Sequence, residues 1–269
     1  MKKIDQKECR EIQMSVLDEV ARICKENNLK YSLAYGTLLG AVRHKGYIPW
    51  DDDIDIFLFR EDYDKLIAIL KNPATQKKEW LTVVDDACDG YYYGFAKAYD
   101  NRTQVEQERH KGEMGIWVDL FPLDGLPKTR WLEKPFVLYC SFLRVVGLAL
   151  SSDLNSRAYD AWTRFYKRII YTVVSLFGKK RFCRYMERVY RRFSGKVSGR
   201  VATLFFDSKT DRVLDLDKLT EMTKYPFEDR EYDAIKNYDY YLSEFYGDYM
   251  QLPPEEKRIT HDFNAWWKN

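Results

Sequence analysis

The chain of 269 residues is 45% hydrophobic and 16% aromatic, which excludes a disordered chain and leaves room for one large domain or one domain with a sizeable insertion. Its formal net charge of +2 does not single out nucleic acid as a partner. The five cysteines (Cys9, Cys24, Cys88, Cys140, Cys183) are scattered, odd in number and form no CxxC pair; this argues for a reducing compartment and against a disulfide framework or structural zinc.

In chain order, the first residues, MKKIDQKECREIQ, contain no apolar core of a secretory signal, so none is expected. Over residues 7–28 apolar side chains recur at Ile12, Val16, Val20 and Ile23, the period of an amphipathic helix closed by Asn27 and Asn28. Residues 31–35 read as a strand broken at Gly36, 37–44 as a short helix, 54–59 as a buried strand and 60–70 as a helix. Strands are expected at 81–84, 91–99 and 115–121, the last ended by Pro122. This order fits an α/β domain with a mixed sheet.

Residues 128–200 differ: 17 lysines and arginines face four acids, a net +13 that leaves −11 for the rest. The periodicity there is helical, and we expect a basic helical insertion (128–200) in a catalytic domain made of 1–127 and 201–269. The most apolar window, residues 136–150, is interrupted by Arg144 and is short for a membrane span. The basic segment has three readings: contact with an anionic inner leaflet, binding of acceptor phosphates, or a solvated face. Nucleic acid fits less well. The expected location is cytoplasmic, with room for peripheral contact at the inner face of the membrane. Residues 201–206 read as a returning strand, and the tyrosine-rich stretch from Glu231 as a helix closing on Gly247 before a Pro-Pro turn.

Four aspartates, Asp51, Asp52, Asp53 and Asp55, sit at the mouth of the strand at 54–59. Strand alternation puts Asp53 and Asp55 on one side, with Asp51 joining them and Asp52 facing away. Same-side carboxylates supply the hard oxygen ligands that magnesium or manganese prefers. A Gly36-Thr37 turn before a helix offers N–H groups and a hydroxyl to a phosphate, and Arg43 and His44 lie one to two turns on. Asp119, one acid among Ile116, Trp117, Val118, Leu120 and Phe121, is the candidate third carboxylate, as metal ligand or as acceptor of a proton from an attacking hydroxyl. Asp124 reads as a turn residue. Lys97 is either a phosphate ligand or a surface lysine. Tyr91, Tyr93 and Trp117 are candidates to cage a quaternary ammonium, against the alternative of ordinary sheet packing.

The ordered set YGTLLGAVRHKGYIPWDDDIDI, GIWVDLFPLDG and YGDYMQLPPEEKR resembles the LicD family of phosphocholine transferases, and the first motif is similar to one in fukutin and fukutin-related protein. The resemblance implies a nucleotidyltransferase-like fold and metal-dependent transfer of a phosphorylated alcohol from a CDP-activated donor, such as CDP-choline, to a sugar hydroxyl of a glycan or its lipid-linked precursor. It implies metal binding at Asp53 and Asp55, with Asp51 as a further ligand, and an acid at Asp119. It gives no role to Tyr246, Gly247 and Asp248. Displacing CMP from a pyrophosphate needs charge neutralisation and positioning more than a covalent nucleophile, and no Ser-His-Asp or Cys-His arrangement is evident. Competing readings are a nucleotidyltransferase using NTP, a glycosyltransferase using a nucleotide sugar, and a catalytically silent scaffold.

Overall fold

A computed structural model describes residues 2–268 apart from 76, 86–90, 107–113, 155–158, 195–197, 205–211 and 259–263. Cys88, His110 and His261 lie outside the described residues, as do the last two residues of the returning strand expected at 201–206. The architecture is mixed α/β.

After β1 (Lys2–Ile4), α1 (Gln6–Glu26) starts at Asp5, whose carboxylate accepts from the Glu8 N–H at 2.8 Å, a side-chain cap of a free helix-end donor. Its stripe of Ile12, Val16, Val20 and Ile23 is buried. The chain continues through β2 (Tyr31–Leu33), α2 (Tyr35–Arg43), β3 (Asp55–Phe59), α3 (Arg60–Lys71), β4 (Leu81–Val84), β5 (Ala96–Asp100), β6 (Thr103–Glu106) and β7 (Trp117–Gly125). Three helices follow, α4 (Arg130–Ser151), α5 (Ala161–Phe177) and α6 (Lys179–Tyr190), then β8 (Arg200–Ala202), β9 (Leu214–Asp215), β10 (Met222–Phe227), β11 (Arg230–Ile235), α7 (Tyr238–Tyr246) and β12 (Asn264–Trp267).

The main sheet runs β2-β3-β7-β5-β4, with β3 and β7 parallel and the other neighbours antiparallel. β7 is central and buried along nearly its whole length. It does not end at Pro122, as the sequence suggests, but runs on to Gly125. The Asp119 N–H donates to Ile54 O on the β3 side, so by alternation the position of the missing Pro122 N–H faces the other neighbour. There β5 pairing has stopped at Leu120 and β8 pairing starts at Asp124. A proline is tolerated where no ladder bond is due.

Three further elements differ from the sequence reading. Residues 91–95 are not a strand; Gly94 has φ 80° and the sheet begins only at Ala96. Residues 231–235 belong to β11, the partner of β10, and only Tyr238–Tyr246 is helical. This hairpin docks beside β2, where Ser32 Oγ accepts from the Ile235 N–H at 3.0 Å and Tyr31 Oη from the Asp233 N–H at 3.2 Å, covering an otherwise open sheet edge. Asp124 is no turn residue: it is fully buried in β7, where Arg60 donates to both its oxygens at 2.7 and 2.5 Å and Ser194 Oγ adds a bond at 2.7 Å.

Breaking a buried, hydrogen-bonded pair of this kind strands the remaining charge. Asp124→Ala is expected to cost about 3–5 kcal/mol in urea unfolding, and the double change Arg60→Met with Asp124→Leu distinctly less than the single one.

Candidate active site

The parallel register sets Asp55 of β3 opposite Asp119 of β7, and the antiparallel register on the other side sets Lys97 of β5 opposite Asp119. Three adjacent strands thus carry carboxylate, carboxylate and ammonium in one row. Asp53, just ahead of β3, joins them: Asp53, Asp55 and Asp119 each offer a carboxylate oxygen, all within 4.8 Å of one another, and Asp51, Asp52 and Asp53 form a second such group. Although regular strand structure starts only at Asp55, the facing still alternates. Asp51, Asp53 and Asp55 line a cleft of about 530 Å³, Asp52 does not, and Ile54 is in the core.

The carboxylates are buried at a cost. Burial, then the charges of Asp53, Asp119 and Asp51, push the Asp55 carboxyl well above the ordinary carboxylate range. Burial also raises Asp119, opposed by Lys97. Lys97 Nζ pairs with Asp119 Oδ1, and the Trp117 indole N–H reaches Oδ2 at 3.3 Å. The same ammonium lies 4.3 Å over the Trp117 ring.

The backbone around the aspartates is clamped from α1 and α2. Arg10 donates to Asp51 O at 2.9 Å, and Gln13, itself buried, donates to Asp52 O at 2.7 Å. Thr37 Oγ1 accepts from the Asp55 N–H at 2.8 Å. Gly36 has a steric reason: a Cβ there would stand 2.6 Å from Asp51 Oδ2. Tyr35, at the start of α2, holds φ 43°, an uncommon backbone state for a residue with a side chain, and its hydroxyl donates to Thr203 Oγ1 at 2.6 Å.

The opposite wall comes from the far end of the chain: Tyr246, Asp248, Tyr249, Gln251, Leu252, Pro253 and Pro254 all line the cleft. Arg43 holds this wall, donating to Tyr249 O at 2.6 Å and Gln251 O at 3.4 Å. Burial pulls its guanidinium below the ordinary value, and among the described residues no carboxylate forms a salt bridge with it. Burial, followed by the Asp55 and Asp51 charges, raises the Tyr246 phenol.

Several sequence-expected residues are therefore placed differently. Gly36, Arg43, Asp51, Asp53 and Asp55 line the cleft. Thr37 Oγ1 accepts from the Asp55 N–H and Lys97 pairs with Asp119, and neither residue lines the cleft. His44 packs edge-on to Trp50 as the α2 cap, its imidazole lowered by burial and by Arg43. Tyr91 and Tyr93 pack together 4.7 Å apart, and Lys97 covers the Trp117 face; none of the three lines the cleft. Its aromatic surfaces are instead Tyr35, Trp50, Tyr246 and Tyr249. Arg10 and Gln13 were not singled out from sequence; a glutamine beside the apolar stripe of α1 was the available signal.

Residues 28–133 match the family described as LicD/FKTN/FKRP, nucleotidyltransferase domain. Across 264 residues, 97% of both chains, this chain is 26% identical to the lipopolysaccharide cholinephosphotransferase LicD of Haemophilus influenzae. Over 126 residues, 45% of this chain, it is 29% identical to the ribitol 5-phosphate transferase FKRP of Homo sapiens and of Mus musculus, of which it spans 23% and 24%. The family-model match over residues 28–133 contains the four aspartates, Arg43, Lys97 and Asp119, whereas the wall from Tyr246 to Pro254 lies beyond it.

A raised Asp55 has a definite consequence in metal-free protein. The folded state keeps this proton to higher pH than the unfolded chain, so stability is full below the unfolded carboxylate value of about 4 and is lost as pH rises through the raised folded value. Asp55→Asn is expected to flatten the fall in thermal midpoint between acid and neutral pH. Magnesium should raise the midpoint of the wild type and not of the variant; equal shifts in both would remove Asp55 from the metal site.

Proposed function

We propose that the protein transfers phosphocholine, or a similar phospho-alcohol, from a CDP-activated donor to a sugar hydroxyl of a cell-surface glycan, teichoic acid or lipopolysaccharide precursor. The observation that carries this reading is the pairing, across one cleft, of a clustered carboxylate site with the half-buried Arg43 in a LicD domain. The near full-length relative with a cholinephosphotransferase name supports the same chemistry.

The donor set is all carboxylate oxygen, the preference of magnesium or manganese, and Asp53, Asp55 and Asp119, with Asp51, would hold the ion. Such an ion supplies charge neutralisation to the donor pyrophosphate. Arg43 binds the same phosphates from the opposite wall, where the absence of a carboxylate partner leaves its charge for an anion. Gly36 keeps the backbone close to Asp51 and leaves room for that group. In the transfer, the acceptor oxygen forms a bond to the phosphorus that bears the alcohol, the bond to the CMP oxygen breaks, CMP leaves, and a carboxylate of the cluster takes the hydroxyl proton. Lys97 and Trp117 orient Asp119 for either part, as ligand or as proton acceptor. A quaternary ammonium finds its aromatic faces at Tyr246 and Tyr249 rather than at Tyr91, Tyr93 and Trp117, since Arg258 lies 5.0 Å over the Trp50 ring as Lys97 lies over Trp117.

A thermal-shift comparison of CDP-choline, CDP-ribitol, CDP-glycerol, CTP and a UDP-sugar, each with magnesium, tests the reading. The true donor at hundredfold excess over its Kd is expected to raise the midpoint by about 5 °C or more. Asp53→Ala should lower CMP release by at least about a hundredfold while leaving the fold intact. Pyrophosphate release from CTP would favour a nucleotidyltransferase, and UDP-sugar turnover a glycosyltransferase.

A further inference from the structure

The three helices after β7 present an outer surface that the cleft does not use. No residue of α5 is fully buried. Its inner side rests Tyr171 and Val174 against Tyr92, Leu150 and Cys183. Lys167 also turns inward, donating to Ser152 Oγ at 2.7 Å and lying 3.7 Å over the Tyr159 ring. The outward stripe is the apolar one: Trp162, Phe165, Ile169, Val173 and Leu176, exposed by 47–80% and spaced three or four residues apart along one side. A helix exposed only to water shows the reverse order.

α4 repeats the pattern. Val137, Cys140 and Leu143 pack into the core, while Trp131, Leu138 and Phe142 are exposed. By length and composition α4 could cross a membrane, but half of its apolar window is buried against the domain, so it lies along the protein. α6 adds charge: with Cys183, Met186 and Val189 buried, its exposed side holds Arg181, Arg184 and Arg188 around Tyr185. The Tyr185 hydroxyl meets that of Tyr139 at 2.5 Å, which sets the basic side of α6 beside the exposed side of α4.

We propose that α4, α5 and α6 form a docking face for an anionic lipid bilayer, with the α5 stripe seated among the acyl chains and the α6 arginines on lipid phosphates. Charge complementarity decides the occupant. Exposed aromatic and aliphatic side chains favour any apolar partner, but a segment with 17 basic and four acidic residues favours a surface that is apolar and negative together. The inference does not depend on the transferase reading.

The test is co-sedimentation of the full chain with vesicles of phosphatidylcholine alone and of phosphatidylcholine mixed with phosphatidylglycerol. Binding to the mixed vesicles, weakened by salt, is expected. Replacing Arg181, Arg184 and Arg188 by Gln should weaken it about fivefold per arginine, on the order of a hundredfold in all. Replacing Phe165, Ile169 and Leu176 by Ser should abolish it with circular dichroism and thermal midpoint unchanged, because these side chains are exposed. Equal binding to both vesicles, or to neither, overturns the proposal. So does a concentration-dependent dimer that the serine variant dissolves, which would assign the face to a second copy of the chain.

Discussion

Asp55 and Asp119 face each other on adjacent parallel strands in the middle of a buried sheet, and much of the surrounding structure answers that conflict. Two like charges in a low-dielectric interior repel and each resents desolvation. Lys97 and Trp117 engage Asp119 from the next strand and from two residues back. Among the described residues no side-chain cation forms a salt bridge with Asp55; its backbone N–H is fixed by Thr37 and the acidic loop before it by Arg10 and Gln13. Lys97 is paired with Asp119, while the charges of Asp53, Asp119 and Asp51 all act on Asp55. A positive ligand would relieve the repulsion that, with burial, raises the Asp55 carboxyl.

The sequence revealed those parts of the site that lie on one element or interrupt a strong pattern. Asp119 stood out because it is one acid in the apolar run of residues 116–121, and Asp51, Asp53 and Asp55 because of their spacing. Lys97 was visible only as an ambiguous lysine. Its pairing with Asp119 depends on β5 lying beside β7, a long-range choice that local periodicity does not encode. The hairpin of β10 and β11 was hidden for a related reason. Tyr232 and Ala234 are buried and alternate with more exposed neighbours, a period-two signal too short to compete with the tyrosine-rich helix that follows. Gly94 likewise broke an apparent strand where composition alone favoured one.

The cleft wall shows why a motif can be recognisable without being interpretable. Tyr246, Gly247 and Asp248 had no chemistry of their own to read. In the fold, Arg43 reaches across more than 200 residues of sequence to the carbonyls of Tyr249 and Gln251, which brings a distant segment into the lining of the cleft. Neutral carbonyls hold the guanidinium without neutralising it, so in the proposed reaction its charge would be open to a phosphate.

Charge is partitioned along the chain in the same spirit. A total of +2 conceals +13 in residues 128–200 and −11 elsewhere. Near an anionic surface the acidic body is repelled and the helical segment drawn in, so the molecule approaches with one orientation well before any side chain inserts. The exposed apolar stripe of α5 then adds short-range attraction, which is insensitive to salt, to a long-range force that salt screens within about 10 Å. On the proposed bilayer the two terms would act over different distances and on different helices, α6 for the charge and α5 for the insertion. They are separable by experiment for that reason, and neither could be replaced by raising the net charge of the whole protein.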